Sequence, residues 1–158
     1  MSAARLNIGT LPAGPAAATI AFVLGAEVRG PTVWDVLAAT TAVCPALVAG
    51  DRHVIGSPVP LPATDLRLVG VVLERGGEVA ATAAGAASLG HPAASIAALA
   101  HELAASGDPL RPGEIVVAAP LASVAETNAG DVLVASVARI GTVEAAVETA
   151  PAGAPLSG

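Results

Sequence analysis

Only two aromatic side chains, Phe22 and Trp34, occur in this chain of 158 residues, and tyrosine is absent. Apolar residues make up 54% of the sequence, chiefly Ala and Val, so any core must be closed by many small aliphatic groups and not by a few large rings. A chain of this length suits one such core.

The charge pattern narrows the chemistry. The formal net charge is -6 and every basic residue is Arg, which leaves no lysine for a Schiff base or a P-loop. An acidic chain with scattered Arg and no aromatic platform also lacks the basic footprint and stacking surface of a nucleic-acid binder. The long uncharged stretches at 6–26 and 79–101 are broken by Pro12, Pro15, Gly85, Gly90 and Pro92, so neither reads as a membrane span. A leader with Arg5 as its charged start and 16–24 as its apolar part is interrupted by Gly14 and Pro15, and a cytoplasmic location is expected. The single cysteine, Cys44, sits in an apolar run and reads as a buried, inert thiol.

Residues 1–18 read as an extended lead-in because Gly9, Pro12, Gly14 and Pro15 punctuate them. A domain is expected over 19–149 and a disordered tail over 150–158. Thr19 to Leu24 reads as a buried strand, and Gly30-Pro31 as a turn. Thr32 followed by Asp35 is a capping-box start to a helix that carries Val33, Val36, Leu37, Thr40 and Val43 on one face and stops at Pro45. A strand over 46–49 and a proline-rich loop over 56–62 follow. Runs at 66–73 and 78–83 flank Arg75-Gly76-Gly77 and predict a hairpin, with Arg67 facing solvent. Gly90-His91-Pro92 opens a second helix, marked by Ile96, Leu99 and Leu103 and ended by Gly107. Three further strands are expected over 115–119, 132–138 and 143–147. Two helices among hairpin strands give an α+β domain with a curved or barrel-like sheet.

Several segments in order, IAFVLG at 20–25, RGPTVWDVLAATTAVCPAL at 29–47, the long run LVGVVLERGGEVAATAAGAASLGHPAASIAALA at 68–100 and LRPGEIVVAAPL at 110–121, carry a family resemblance. Together they resemble the 2-keto-4-pentenoate hydratase / 4-oxalocrotonate decarboxylase family. The resemblance implies the fold of the fumarylacetoacetate-hydrolase superfamily, a mixed β-roll or flattened barrel with two main helices. It also implies a Mg²⁺ or Mn²⁺ ion that polarises a 2-oxo acid.

Against that pattern the sequence departs where the metal would be held. The family's Glu-x-Glu pair falls on Ala17 and Thr19, and its third metal-binding Glu, after Pro-Ala-Leu, falls on Val48. A methyl, a hydroxyl and an isopropyl group supply no negative charge for a hard cation, so no metal and no other cofactor are expected. The family's Ala-Asp-Asn-Ser-like loop is shortened between Asp51 and Val54, its N-terminal helical portion has no counterpart here, and its Lys-Ile-Gly is echoed only by Asn7-Ile8-Gly9.

Three polar positions remain as catalytic candidates. Asp51 and His53 form with Arg52 a dense cluster beside Val48, either a repurposed acid/base pair or a solvated turn with a local ion pair; base expectations for surface charge favour the turn. His91 stands in the Gly-His-Pro turn, where a structural role, capping the helix or orienting the loop, is favoured over catalysis. His101 and Glu102 point to different helix faces, and His53, His91 and His101 match no compact zinc spacing. Glu74 and Glu78 flank the hairpin turn and keep it soluble.

The expected function is a diverged family member without metal-dependent lyase chemistry, acting as a binding or partner subunit. It would assemble with itself or with a full-length relative, since a mean hydropathy of +0.72 is hard for a small domain to bury alone. The alternatives are a metal-free isomerase, cyclase or hydratase that takes a small apolar ligand in the emptied pocket at Ala17, Thr19 and Val48, and residual hydratase activity.

Overall fold

The computed structural model describes residues 9–148. Its centre is the strand β2 (Ala16–Leu24), whose even-numbered side chains face the main core while its odd-numbered ones face the other way. β1 (Gly9–Leu11) precedes it, so the expected lead-in is corrected: 9–11 and 16–18 are strand. Alanine is a poor strand former in isolation, and here pairing on both sides of β2 overrides that preference.

α1 (Val33–Ala39) begins as the sequence predicts. Thr32 accepts from the Asp35 backbone N–H at 3.1 Å while the Asp35 carboxylate accepts from the Thr32 N–H at 3.0 Å, a complete capping box. It ends earlier than expected. Thr40, Thr41 and Val43 are β-branched, and Pro45 forces the residue before it out of the helical region, so 40–49 continues as the strand β3 (Thr40–Ala49). Pro45 is tolerated inside this strand because it lies between β4 (Arg52–Ile55), which pairs with 46–49, and β5 (Val59–Pro60), which pairs with 42–43. In that gap the Gly56 N–H donates to the Pro45 carbonyl at 2.8 Å.

A short 3₁₀ turn, η1 (Leu66–Leu68), leads into β6 (Gly70–Arg75) and β7 (Glu78–Ala84). The hairpin is as expected but begins later, and Gly76 and Gly77 both adopt positive φ, as a two-residue turn of the right twist requires. A second 3₁₀ turn, η2 (Gly85–Ala87), precedes α2 (Ala94–Ala105). Gly107, at φ +82, closes that helix by donating to the Ala104 carbonyl while Asp108 donates to that of Leu103. β8 (Ile115–Val117), β9 (Ala122–Val124), β10 (Val132–Val137) and β11 (Gly141–Val147) complete the order.

Sheet A runs β1-β11-β10-β6-β7, all antiparallel except the β1–β11 pair; sheet B runs β4-β3-β2-β8, with β5 added to β3 and β9 to β2. The two sheets face one another and share one core, to which β2 contributes Ile20, Phe22 and Leu24 and sheet A contributes Leu73, Leu133 and Val143. They also approach at both margins. At one, a side chain on Gly9 would collide with Val54; at the other, Arg75, held by Asp131 just before β10 of the same sheet at 3.0 Å, donates to the carbonyl of Glu126, just after β9, at 3.0 Å. The result is the flattened, barrel-like α+β architecture. Phe22 is fully buried as its largest core side chain, whereas Trp34 is 76% exposed. Among the described residues no helix is long and apolar enough to cross a membrane. The tail from residue 150, and Arg5, Asn7 and Ile8, lie outside the described residues.

Candidate functional site

In the antiparallel register of β2 and β3, Ala17 stands opposite Val48 and Thr19 opposite Ala46. Residues two apart on a strand share a face, so the three positions singled out in the sequence, Ala17, Thr19 and Val48, are neighbours on one side of sheet B. Further along the same face lie Ala21, Cys44 and Ala46, a second cluster of small buried groups. Burial pushes the Cys44 thiol up from its ordinary pKa, as expected for an inert cysteine.

Thr19 is fully buried, and its hydroxyl is committed: it donates to the Ala119 carbonyl at 2.7 Å, with the Ala118 carbonyl at 3.3 Å. Ser95, in the first turn of α2, accepts from the Ala119 N–H at 3.0 Å, so helix and strand grip the same short loop. Ala17 and Val48 line a hollow of about 220 Å³ with Gly50, Pro120 and Val124, where Ser123 carries the only polar side chain. Among the described residues no group of three His, Cys, Asp or Glu side chains is arranged to hold a metal ion. The residues at the three positions therefore do not fit a hard divalent cation, which takes oxygen ligands and needs carboxylate charge.

His53 lies opposite Val48 in the β3–β4 register, which puts it in a row with Ala17 and Val48 across three strands, with its side chain exposed. Asp51 is in the exposed turn before β4, and among the described residues no hydrogen bond joins it to His53. The acid/base pair considered for Asp51 and His53 is therefore not formed. The expected local ion pair is corrected too. Arg52 reaches across the roll to Glu148 at 2.8 Å and donates to the Thr10 carbonyl at 3.0 Å, tying β4 to β1 and to the end of β11.

His91 is elsewhere. It lines a larger cleft of about 620 Å³ between α1, η1 and the turn before α2, together with Trp34, Leu37, Leu61, Asp65 and Arg67. α1 leads into Thr40, and Thr40 and Val48 are separated by about 25 Å of extended strand. The two hollows are thus at opposite ends of β3. The His91 Nδ1 accepts from the Ala93 N–H at 2.9 Å, a contact that orients the turn before α2, while the helix itself starts at Ala93 without a side-chain cap. Burial lowers its pKa; the nearby Asp65 carboxylate partly opposes this and the Arg67 guanidinium adds to it, so the ring is neutral at pH 7 and its proton sits on Nε2. Asp65, Trp34 and Leu89, all on this cleft, were not legible as site residues; Asp65, two residues before Arg67, was the available signal. Arg67 is exposed as expected but paired, 2.6 Å from the Asp65 carboxylate.

No protein-family model matches the chain. It is similar to a 2-keto-4-pentenoate hydratase of Paraburkholderia xenovorans (strain LB400), at 34% identity over 156 residues, covering 84% of this chain and 58% of that protein. Among solved structures, 4-oxalocrotonate decarboxylase from Pseudomonas putida G7, complexed with magnesium and adipate, superposes with a TM-score of 0.78 at 29% identity, covering 87% of this chain and 61% of that one. A fumarylacetoacetate hydrolase family protein from Yersinia pestis CO92 superposes with a TM-score of 0.68 at 14% identity, over 90% of this chain and 79% of that one, a likeness of fold alone. The chain thus spans about three fifths of the length of the hydratase and the decarboxylase it matches.

Proposed function

We propose that this chain, which belongs to the 2-keto-4-pentenoate hydratase / 4-oxalocrotonate decarboxylase family of the fumarylacetoacetate-hydrolase superfamily, lacks metal-dependent 2-oxo acid lyase chemistry and acts as a binding or partner subunit. The observation that carries this reading is the trio Ala17, Thr19 and Val48. They occupy one face of sheet B where three carboxylates would be needed, and the one hydroxyl among them is already bonded to the backbone. Nor does the chain have a lysine to replace the metal as electrophile by forming an imine with a 2-oxo acid.

A metal-free enzyme working in the emptied hollow finds less support. About 220 Å³ is below the roughly 300 Å³ at which ligand pockets begin, and Ser123 is the sole polar side chain lining it. The partner role draws support from β7, the last strand of sheet A, which exposes Glu78, Val79, Ala80, Thr82 and Ala84, with Val79 at 63%. Apart from Glu78 this is uncharged strand surface of the kind a second chain covers.

Two measurements test the proposal. Calorimetric titration with Mg²⁺ and Mn²⁺ is expected to show no stoichiometric binding, and tight one-to-one binding would overturn the metal-free part. Light scattering is expected to report a dimer or larger species that Val79→Lys shifts towards monomer. A monomer at high concentration, with no co-purifying relative, would overturn the partner role.

A further inference from the structure

We propose that the cleft between α1, η1 and the turn at 89–91 binds a small, uncharged aromatic carbonyl compound, its ring against Trp34 and its oxygen accepting a hydrogen bond from His91 Nε2. This goes beyond the reading above and stands or falls independently of it, since the cleft is at the other end of β3 from Ala17 and Val48.

Size and lining come first. About 620 Å³ lies in the middle of the roughly 300–1,000 Å³ range of small-molecule sites, and Val33, Trp34, Leu37, Leu61 and Leu66 give it an apolar wall. Two features of the rim have no role in holding the fold. Trp34 is the sole tryptophan and is 76% exposed, while the capping box that starts α1 uses its neighbours Thr32 and Asp35. Leu89 is 75% exposed and adopts φ +54, a left-handed conformation that is unfavourable for a branched side chain. Together they present two large apolar side chains, one of them at a backbone cost, at the mouth of a concave site. An indole face is suited to stacking on another ring.

The polar end decides the charge of the ligand. The Arg67 guanidinium is matched by Asp65, whose two oxygens take Nε and Nη2 of Arg67 at 2.6–3.1 Å. The His91 ring is neutral, and because Nδ1 is occupied by the Ala93 N–H, Nε2 carries the proton and can only donate. Thr64 adds a hydroxyl. This end therefore offers donors with no uncompensated positive charge. A carboxylate brought here would lose its hydration without gaining a free counter-ion, whereas a neutral carbonyl needs only the donor.

Ligand-observed NMR and calorimetry with three probes test the assignment: acetophenone, benzoate, which has the ring but a charged head, and ethylbenzene, which has the ring and no oxygen. Acetophenone is expected to bind at least tenfold more tightly than benzoate and several-fold more tightly than ethylbenzene. Trp34→Ala, at an exposed position that leaves the fold intact, should weaken acetophenone tenfold or more. His91→Asp, which keeps an acceptor for the Ala93 N–H and removes the donor, should do the same, while Glu144→Gln, at an exposed position on β11 that does not line the cleft, should leave binding unchanged. Binding that persists in Trp34→Ala and His91→Asp, tighter binding of benzoate, or no binding of acetophenone at millimolar concentration would overturn the proposal. So would a drop in oligomer size on Trp34→Ala without any ligand binding, which would make this face a protein contact.

Discussion

The Thr19 hydroxyl donates to the carbonyl of Ala119 at 2.7 Å, so the one oxygen-bearing side chain among the three positions on this face of sheet B is buried beside the hollow that Ala17 and Val48 line, and is used to hold a loop. Replacing it by valine keeps the shape and removes the donor from a fully buried site. Thr19→Val is expected to cost about 1–2 kcal/mol, seen as a lower urea midpoint with an unchanged slope. No change in midpoint would mean that the Ala118 and Ala119 carbonyls find another donor and that the Thr19 bond does not hold the loop.

The acidic limb of stability should involve the larger cleft. Hydrogen bonds from the Arg67 side chain, then from its backbone N–H, hold the Asp65 carboxyl at about 2, against about 3.9 in an unfolded chain. The folded form is the weaker proton binder, so the stability Asp65 contributes is present above about pH 4 and is lost as the pH falls through about 2. His91 acts in the same sense at higher pH, because burial lowers its pKa and its contribution is lost as the pH drops below about 6.5. NMR titration of both groups reads this directly. In Arg67→Gln the Asp65 carboxyl should return towards the ordinary carboxylate range; if it stays near 2, the pair is not its cause.

Gly85 marks the closest approach of η2 to η1. A side chain there would collide with the Leu66 carbonyl oxygen, a backbone atom that cannot move aside. Gly85→Ala is expected to destabilise the chain by more than about 2 kcal/mol, while Gly70→Ala, where a side chain meets open space, should fall within about 1 kcal/mol. Equal denaturation midpoints for the two variants would contradict the packing of η1 on η2.

Local chemistry explains which features could be read in the sequence. The capping box at Thr32 and Asp35, the Gly76-Gly77 turn and the Gly107 helix end were legible because each depends on residues a few positions apart. The alanines of 16–18 were not, since their strand exists through pairing with β3 and β9 and not through propensity. The helix over 33–39 was overextended because Thr40 and Val43 fit its apolar spacing, while strand pairing decided the outcome. At the candidate site, the family resemblance placed Ala17, Thr19 and Val48, and the strand register puts them on one face. Arg52 misled because its acid, Glu148, is far away in sequence, and the Trp34 cleft was invisible because three separate segments build it.

The central claim is that this family member does not turn over the 2-oxo acids its relatives' names describe. The most direct measurement follows the ultraviolet absorbance of 2-hydroxypenta-2,4-dienoate with the purified chain, with and without Mg²⁺ or Mn²⁺, beside a full-length hydratase as the positive control. The account predicts decay at the uncatalysed rate, unchanged by either metal, because Ala17, Thr19 and Val48 provide no carboxylate and the chain has no lysine. Metal-stimulated turnover well above the uncatalysed rate would contradict it.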